Sequence, residues 1–487
     1  MVYVRKLKPI EVLSKDARED IHLASLELLK EMGVKVYSKE ALRILEESGA
    51  EVDQEKQMAY IPPYLVEEAL KKTPKYVKLC GRNPKYDVIL DGKHICCSTD
   101  GTGMYTIDLD TGERRQSTKD DVAKSARIIN ALEDADLYYP SVTPLDFPKH
   151  AHVLHEFDAA INNLEKHFMS GATYLREEAT YLIKMASAVV GGIEELRKRP
   201  IISAVACMMS PLILPLGETD AALEFSKYGV PVVPMTMPLL GATGPITPAG
   251  SVLIGNAQIL AINTVIQMKY PGTPVIYSSF PLSMEMRTGA FAVSFPEADL
   301  VIAGHIQMAR HYGMPNLAGG NIGSSKLPDE QAAYEKALCG LITVLAGGDI
   351  CGTIGLLENY MVLSYEQLLI DYEMYRMMVK LAEGIDVNED TLALDTIYRV
   401  GPEGHFMAEK HTLKHAKDVW APLITDPRSH QAWKKEGGKS VVEVAREKVR
   451  EILATHEPEP LDEDVKRELE RIIKEGEENL PHRPHNP

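Results

Sequence analysis

Residues 316–338 read NLAGGNIGSSKLPDEQAAYEKAL. A short apolar run ends at Gly319, Gly320 and Asn321. A loop carrying one lysine, Lys326, follows. A helix then begins behind Asp329, whose carboxylate suits the N-cap position. This is one strand–loop–helix unit, and the fold depends on whether the unit repeats along the chain.

It does. Apolar strands are expected near 94–99, 137–142, 167–171, 201–207, 231–236, 274–279, 316–320 and 349–354. Helices are expected between them near 118–132, 149–164, 176–190, 218–228, 248–268, 297–312 and 329–346, with an eighth near 364–384. Regular alternation of this kind implies a parallel sheet. Eight units over this length imply an α/β fold of the (β/α)8 TIM-barrel type rather than an open sheet. Residues 1–90 read as an N-terminal helical region, 91–400 as the barrel catalytic domain and 401–487 as a C-terminal helical extension. The terminal PHRPHNP is expected to be mobile.

Composition bounds the function. The 487 residues are 45% apolar and 25% charged, ordinary values for a globular protein with a large core. A formal net charge of −17 argues against nucleic acid as a partner and against docking on anionic membranes. No apolar run is read as approaching a membrane span, and MVYVRKLKPIEVL lacks a signal-peptide core, so a cytoplasmic protein is expected. The six cysteines form no CxxC pair and read as buried thiols. Twenty-one tyrosines offer many rings that could hold a cation.

In a barrel the active site lies at the C-terminal ends of the strands, within the βα loops. Asp100 follows the first strand and Glu358 and Tyr360 follow the last, so a carboxylate pair at the mouth is plausible; alternatively, these acids cap helices or pair with Arg114 or Arg115. The loop PLLGATGPITPAG at 238–250 offers amides around Gly244 to an anion, or is simply a tight connection. DGTG at 100–103 lacks the third glycine of a dinucleotide fingerprint. His152 and Glu156 share a helical face, with His150 and His155 beside them, but surface histidines fit better than a metal centre, and no bound metal is expected. His405, His411 and His415 lie in GPEGHFMAEKHTLKH; the last two are one turn apart, and His405 sits in a loop.

Four separated segments, DLDTGERRQSTKDD, GATGPITPAGSVLIGNAQILA, GSSKLPDEQAAYEKAL and GPEGHFMAEKHTLKH, together resemble the trimethylamine methyltransferase family. The likeness is closest to its members without pyrrolysine, which act on glycine betaine and related quaternary amines, and it runs from about residue 15 to 455. It implies a TIM-barrel enzyme that moves a methyl group to the Co(I) corrinoid (cobalamin) of a cognate partner protein, as in methanogenesis. Cobalt is then the nucleophile, and no catalytic side chain is assigned. A homo-oligomer is expected.

A quaternary ammonium leaves as a neutral amine, so no activating residue is needed. The enzyme has to hold a cation and aim its methyl group. Strand placement offers Tyr105, Tyr138, Tyr139, Tyr277, Phe280 and Tyr360 as ring faces and Asp100 or Glu358 as countercharge. Asn321, Lys326, His405 and the Gly244 amides are expected to orient a betaine carboxylate. Two other readings stand beside this one: a Schiff-base lyase using Lys326, and a non-catalytic methylamine-binding protein.

Overall fold

The computed structural model describes residues 3–99, 101–171 and 173–481. Asp100 and the terminal HRPHNP therefore lie outside the described residues.

Eight strands form the barrel: β1 (His94–Thr99), β2 (Leu137–Tyr138), β3 (His167–Ser170), β4 (Ile202–Met208), β5 (Val232–Thr236), β6 (Tyr277–Ser279), β7 (Asn316–Ala318) and β8 (Ile350–Ile354). Each pairs in parallel with the next, and β8 closes on β1 with Ile350 opposite Cys96 and Cys351 opposite Cys97. The helices that return the chain are α1 (Lys119–Ala131), α2 (His152–Ile161), α3 (Arg176–Val190), α4 (Leu216–Lys227), α5 (Pro248–Lys269), α6 (Pro296–Tyr312), α7 (Glu330–Ala346) and α8 (Tyr365–Ala382). The eight repeats expected from the sequence are all present. Asp329 caps α7 by accepting from the Ala332 amide at 3.0 Å.

Strand side chains alternate between the barrel interior and the helix layer. Cys96, Leu137, Tyr139, Met169, Val205, Val233, Met235, Ile276, Leu317 and Ile350 share one interior cluster. A hairpin, Val77–Leu79 with Val88–Leu90, inserts Val77, Leu79, Val88 and Leu90 into that cluster. The neighbouring Cys80 amide donates to Pro200 O, just before β4, so the hairpin seals the N-terminal end of the barrel. The opposite end is the mouth.

The N-terminal region holds three helices, Lys15–Glu31, Lys39–Glu47 and Pro63–Lys72, and also short strands that helical periodicity did not indicate. Val34–Val36, Glu51–Asp53 and Met58–Tyr60 form a small sheet, joined at its edge by Ile213–Leu214 from the loop after β4. The three N-terminal helices pack on α5. That packing corrects the reading of apolar runs: α5 is long and apolar enough to cross a bilayer, yet it is largely buried within the protein. A helix covered on every side needs no polar face.

Candidate active site at the barrel mouth

The floor of the mouth is apolar. Tyr139 and Phe280 belong to the interior cluster, and the partly buried Cys207, Met237 and Tyr360 pack onto it. Phe280 and Tyr360 meet edge to face, with ring centroids 6.2 Å apart.

Tyr360 reaches this position through a strained turn. Glu358, Asn359 and Tyr360 take positive φ in succession, at 51°, 53° and 71°. Such conformations cost about 1–3 kcal/mol each outside glycine and persist only where surroundings enforce them. Here the loop after β7 enforces them: Glu358 N donates to Ser325 O at 2.7 Å, and Asn359 N donates to Gly323 O at 3.2 Å. The turn is also bracketed by sheet. Leu356–Leu357 and Val362–Ser364 join the hairpin of Tyr105–Ile107 and Arg114–Gln116, so the loops after β8 and β1 form one four-stranded rim.

A buried carboxylate reaches the same mouth from α2. Glu156 is 1% exposed, and its Oε1 lies 3.0 Å from His152 Nδ1. Its other oxygen faces Gly171, at the end of β3. A side chain on Gly171 would place its Cβ 3.4 Å from Glu156 Oε2, 3.6 Å from the Thr102 methyl and 3.7 Å from the Tyr139 ring. The missing side chain therefore leaves a small space bounded by a carboxylate, a methyl group and an aromatic ring. The sequence reading named Glu156 only as the helical companion of His152, because nothing in the spacing says that this face of α2 turns to the mouth.

The remaining expected residues are distributed differently. Tyr138 and Tyr277 point away from the interior into the helix layer, because each adjoins an inward residue on its strand. Tyr138 is fully buried, and its hydroxyl meets Ser125 Oγ at 2.8 Å and Val122 O at 3.2 Å, both on α1. The Tyr277 hydroxyl meets His305 Nδ1 at 2.8 Å and donates to Asn256 Oδ1 at 3.0 Å. Burial pushes the phenol of Tyr277 up and the imidazole of His305 down, to about 3, so both stay neutral. These two tyrosines support the fold and line no site.

Asn321 is also structural. Its Nδ2 donates to Asp371 O at 3.0 Å, and its own carbonyl accepts from Lys336 Nζ at 2.7 Å. Lys326 is exposed on the loop after β7, and His405 is exposed on the C-terminal segment. The Gly244 amide donates to Leu239 O at 3.0 Å within its own turn, so it does not face an anion. That position needs glycine because a Cβ would lie 2.9 Å from Ser251 Oγ. Glu358 pairs with Arg114 at 3.0 Å, and the Arg114 guanidinium lies 3.5 Å from the centre of the Tyr105 ring. Tyr105 and Glu358 thus form a rim cluster around Arg114 instead of an open cage. The histidines around α2 diverge: His150, just before the helix, and His155 turn to Glu477 on the C-terminal helix Glu463–Asn479, while His152 turns to Glu156. A flank groove of about 650 Å³ beside that helix, lined by Ile183, Ala188 and Tyr228, shares no residue with the mouth.

Compared with known proteins, residues 1–481 match the family model described as trimethylamine methyltransferase (MTTB). The chain belongs to the trimethylamine methyltransferase family. Trimethylamine methyltransferase MttB of Desulfitobacterium hafniense strain DSM 10664 / DCB-2 is 36% identical over 94% of this chain and 92% of its own. The glycine betaine methyltransferase of D. hafniense strain Y51 is 30% identical, covering 96% of this chain and 97% of its own. The fold is shared with the monomethylamine methyltransferase MtmB of Methanosarcina barkeri at a TM-score of 0.54 and 12% identity, over 97% of this chain and 89% of that one. The family thus spans proteins named for trimethylamine and for a betaine.

Proposed function

We propose that this protein transfers a methyl group from a quaternary amine to the Co(I) corrinoid of a partner protein, acting as a homo-oligomer in the cytoplasm. The observation that carries the reading is the buried Glu156 carboxylate facing the empty side of Gly171, beside Tyr139 and across an apolar floor from Phe280 and Tyr360. A quaternary ammonium has no N–H to donate. It is recognised by ring faces, worth about 0.5–2 kcal/mol each, and by a carboxylate at a distance. Glu156 supplies the charge, and the neighbouring His152 holds its Oε1 in place.

A partner corrinoid would supply the nucleophile, a Co(I) centre that accepts the methyl cation while the amine leaves neutral. The chain's own share is to bind the cation, exclude water with the apolar floor and aim one methyl group out of the mouth. Leaving as a neutral tertiary amine needs no acid at the nitrogen, and this fits a floor of Tyr139, Met237, Phe280 and Tyr360. The expected donors for a betaine carboxylate lie elsewhere or are occupied, so the reading extends to quaternary amines as a class. The Schiff-base alternative is disfavoured because Lys326 is solvent-exposed and the buried Lys336 is engaged by Asp371.

The test is methyl transfer. Purified protein, its reduced cognate corrinoid protein and a panel of quaternary amines should yield methyl-Co(III), with trimethylamine giving none. Binding of a quaternary amine without transfer, in the presence of a competent corrinoid partner, would instead establish the binding-protein alternative.

A further inference from the structure

Residues 385–420 form an arm beyond α8, with helices Glu389–Leu392, Leu394–Val400 and Lys410–His415. It has almost no core. Thr396 is its one buried side chain, while Ile385, Val387, Tyr398, Met407, Leu413 and Val419 stand exposed. A segment of this size cannot be held by apolar burial, and such segments depend on cross-links.

Arg399 pairs with Glu409 and Lys6 with Asp386, and the densest group of cross-links converges on Asp390. Lys414 Nζ lies 2.7 Å from both carboxylate oxygens, and His415 Nε2 lies 3.1 Å from Oδ2. His411 Nε2 lies 3.0 Å from the Asp390 carbonyl, and the two imidazole rings are 4.5 Å apart. The ligand-type atoms of Asp390, His411 and His415 all fall within 4.8 Å of one another. In a tetrahedral site with ordinary zinc bond lengths, ligand atoms stand about 3.3 Å apart, which small side-chain rotations reach from here.

A second feature points to a cation. His415 Nδ1 lies 2.7 Å from Asp418 Oδ2. The Asp418 carboxylate fixes the ring from behind and leaves Nε2 turned toward the Asp390 carboxylate. A carboxylate behind a histidine is also how metal-bound imidazoles are oriented.

We propose that Asp390, His411 and His415 bind a divalent transition metal of the zinc class, with solvent in the fourth position and Asp418 orienting His415, and that the ion fixes the arm. Imidazole nitrogen with carboxylate oxygen suits zinc, cobalt or nickel, and not magnesium or calcium. The metal takes the place of the Lys414 ammonium, whose side chain is 61% exposed and can swing into solvent.

The tag-free full-length chain, stripped with a chelator, is titrated with Co(II) and Zn(II) and followed by visible d–d absorption and elemental analysis. Uptake of about one ion per chain, with protection of 385–420 from limited proteolysis, is expected. Asp418→Asn should weaken binding about 10–100-fold, the paired change His411→Asn with His415→Asn should abolish it, and Lys414→Met should retain it. If the paired variant misfolds, uptake by the native chain and the Asp418→Asn shift still decide. No stoichiometric uptake by the native chain, or uptake indifferent to these substitutions, would overturn the proposal.

Discussion

Lys336 on α7 and Asp371 on α8 form a salt bridge of 2.8 Å in which neither side chain is exposed to solvent. Asp371 also accepts from Gly355 N and from Gln367 Nε2, each at 2.7 Å, and Lys336 donates to Asn321 O at 2.7 Å. One buried pair therefore ties the loop after β7 to the loop after β8, the two loops that carry Ser325 and Tyr360. Removing one partner of a buried ion pair strands the other charge, at a cost of about 3–5 kcal/mol. Lys336→Met should lower the unfolding midpoint in denaturant by a corresponding amount. A change under about 1 kcal/mol would show that the network does not hold the mouth.

Glu156→Gln keeps the shape and removes the charge. With charge-assisted contacts worth about 1.5–3 kcal/mol, kcat/KM for a quaternary amine should fall about 10–100-fold while thermal stability holds. Unchanged kinetics would remove Glu156 from the site.

Gly171→Ala places a methyl group where the amine is expected to sit, within 3.4 Å of Glu156 Oε2. Overfilling of this kind costs about 1–3 kcal/mol, so KM should rise about 5- to 150-fold. Isothermal titration with the amine would read the loss directly, and a full-affinity variant would contradict the placement.

The aromatic residues separate into two classes. Phe280→Leu and Tyr360→Leu should each weaken amine binding by about 0.5–2 kcal/mol. Tyr138→Phe and Tyr277→Phe delete hydroxyls that bond α1 and α6, so they should lower stability and leave KM alone. The reverse pattern would mean that the outward tyrosines, and not the floor, contact the substrate.

Asp349 is fully buried before β8, accepts from Asn316 N and Nδ2 at 3.0 and 2.9 Å, and is pushed by desolvation to about 7. Its ordinary value is near 3.9, so between about 4 and 7 the folded state holds a proton that the unfolded state has lost. Its contribution to stability is therefore complete below about pH 4 and declines as pH rises through 7. Asp349→Asn should remove that decline, which denaturant titrations at pH 5 and pH 8 would show as a smaller difference than in the parent chain.

The barrel was legible because its repeat is local. Each unit announces a strand by a short apolar run and a helix by a cap, as at Asp329, and eight such units leave few closed arrangements. The mouth was less legible. The sequence placed Tyr138 and Tyr139 together at the end of β2, but adjacent strand residues face opposite ways, and only Tyr139 turns inward. Asn321 and Lys326 sit in the expected loop, yet one is consumed by α8 and the other lies on the surface.

By itself, then, the order of residues determined the barrel and the family, since both rest on patterns spread along the chain. The tertiary structure alone decided which side chains share the mouth. Glu156 and Tyr139 flank Gly171 because α2 packs on β3, and Tyr360 meets Phe280 only because the loop after β7 holds a turn of three left-handed residues. Contacts between segments far apart in sequence are fixed by packing and strain, and neither leaves a periodic mark on the chain.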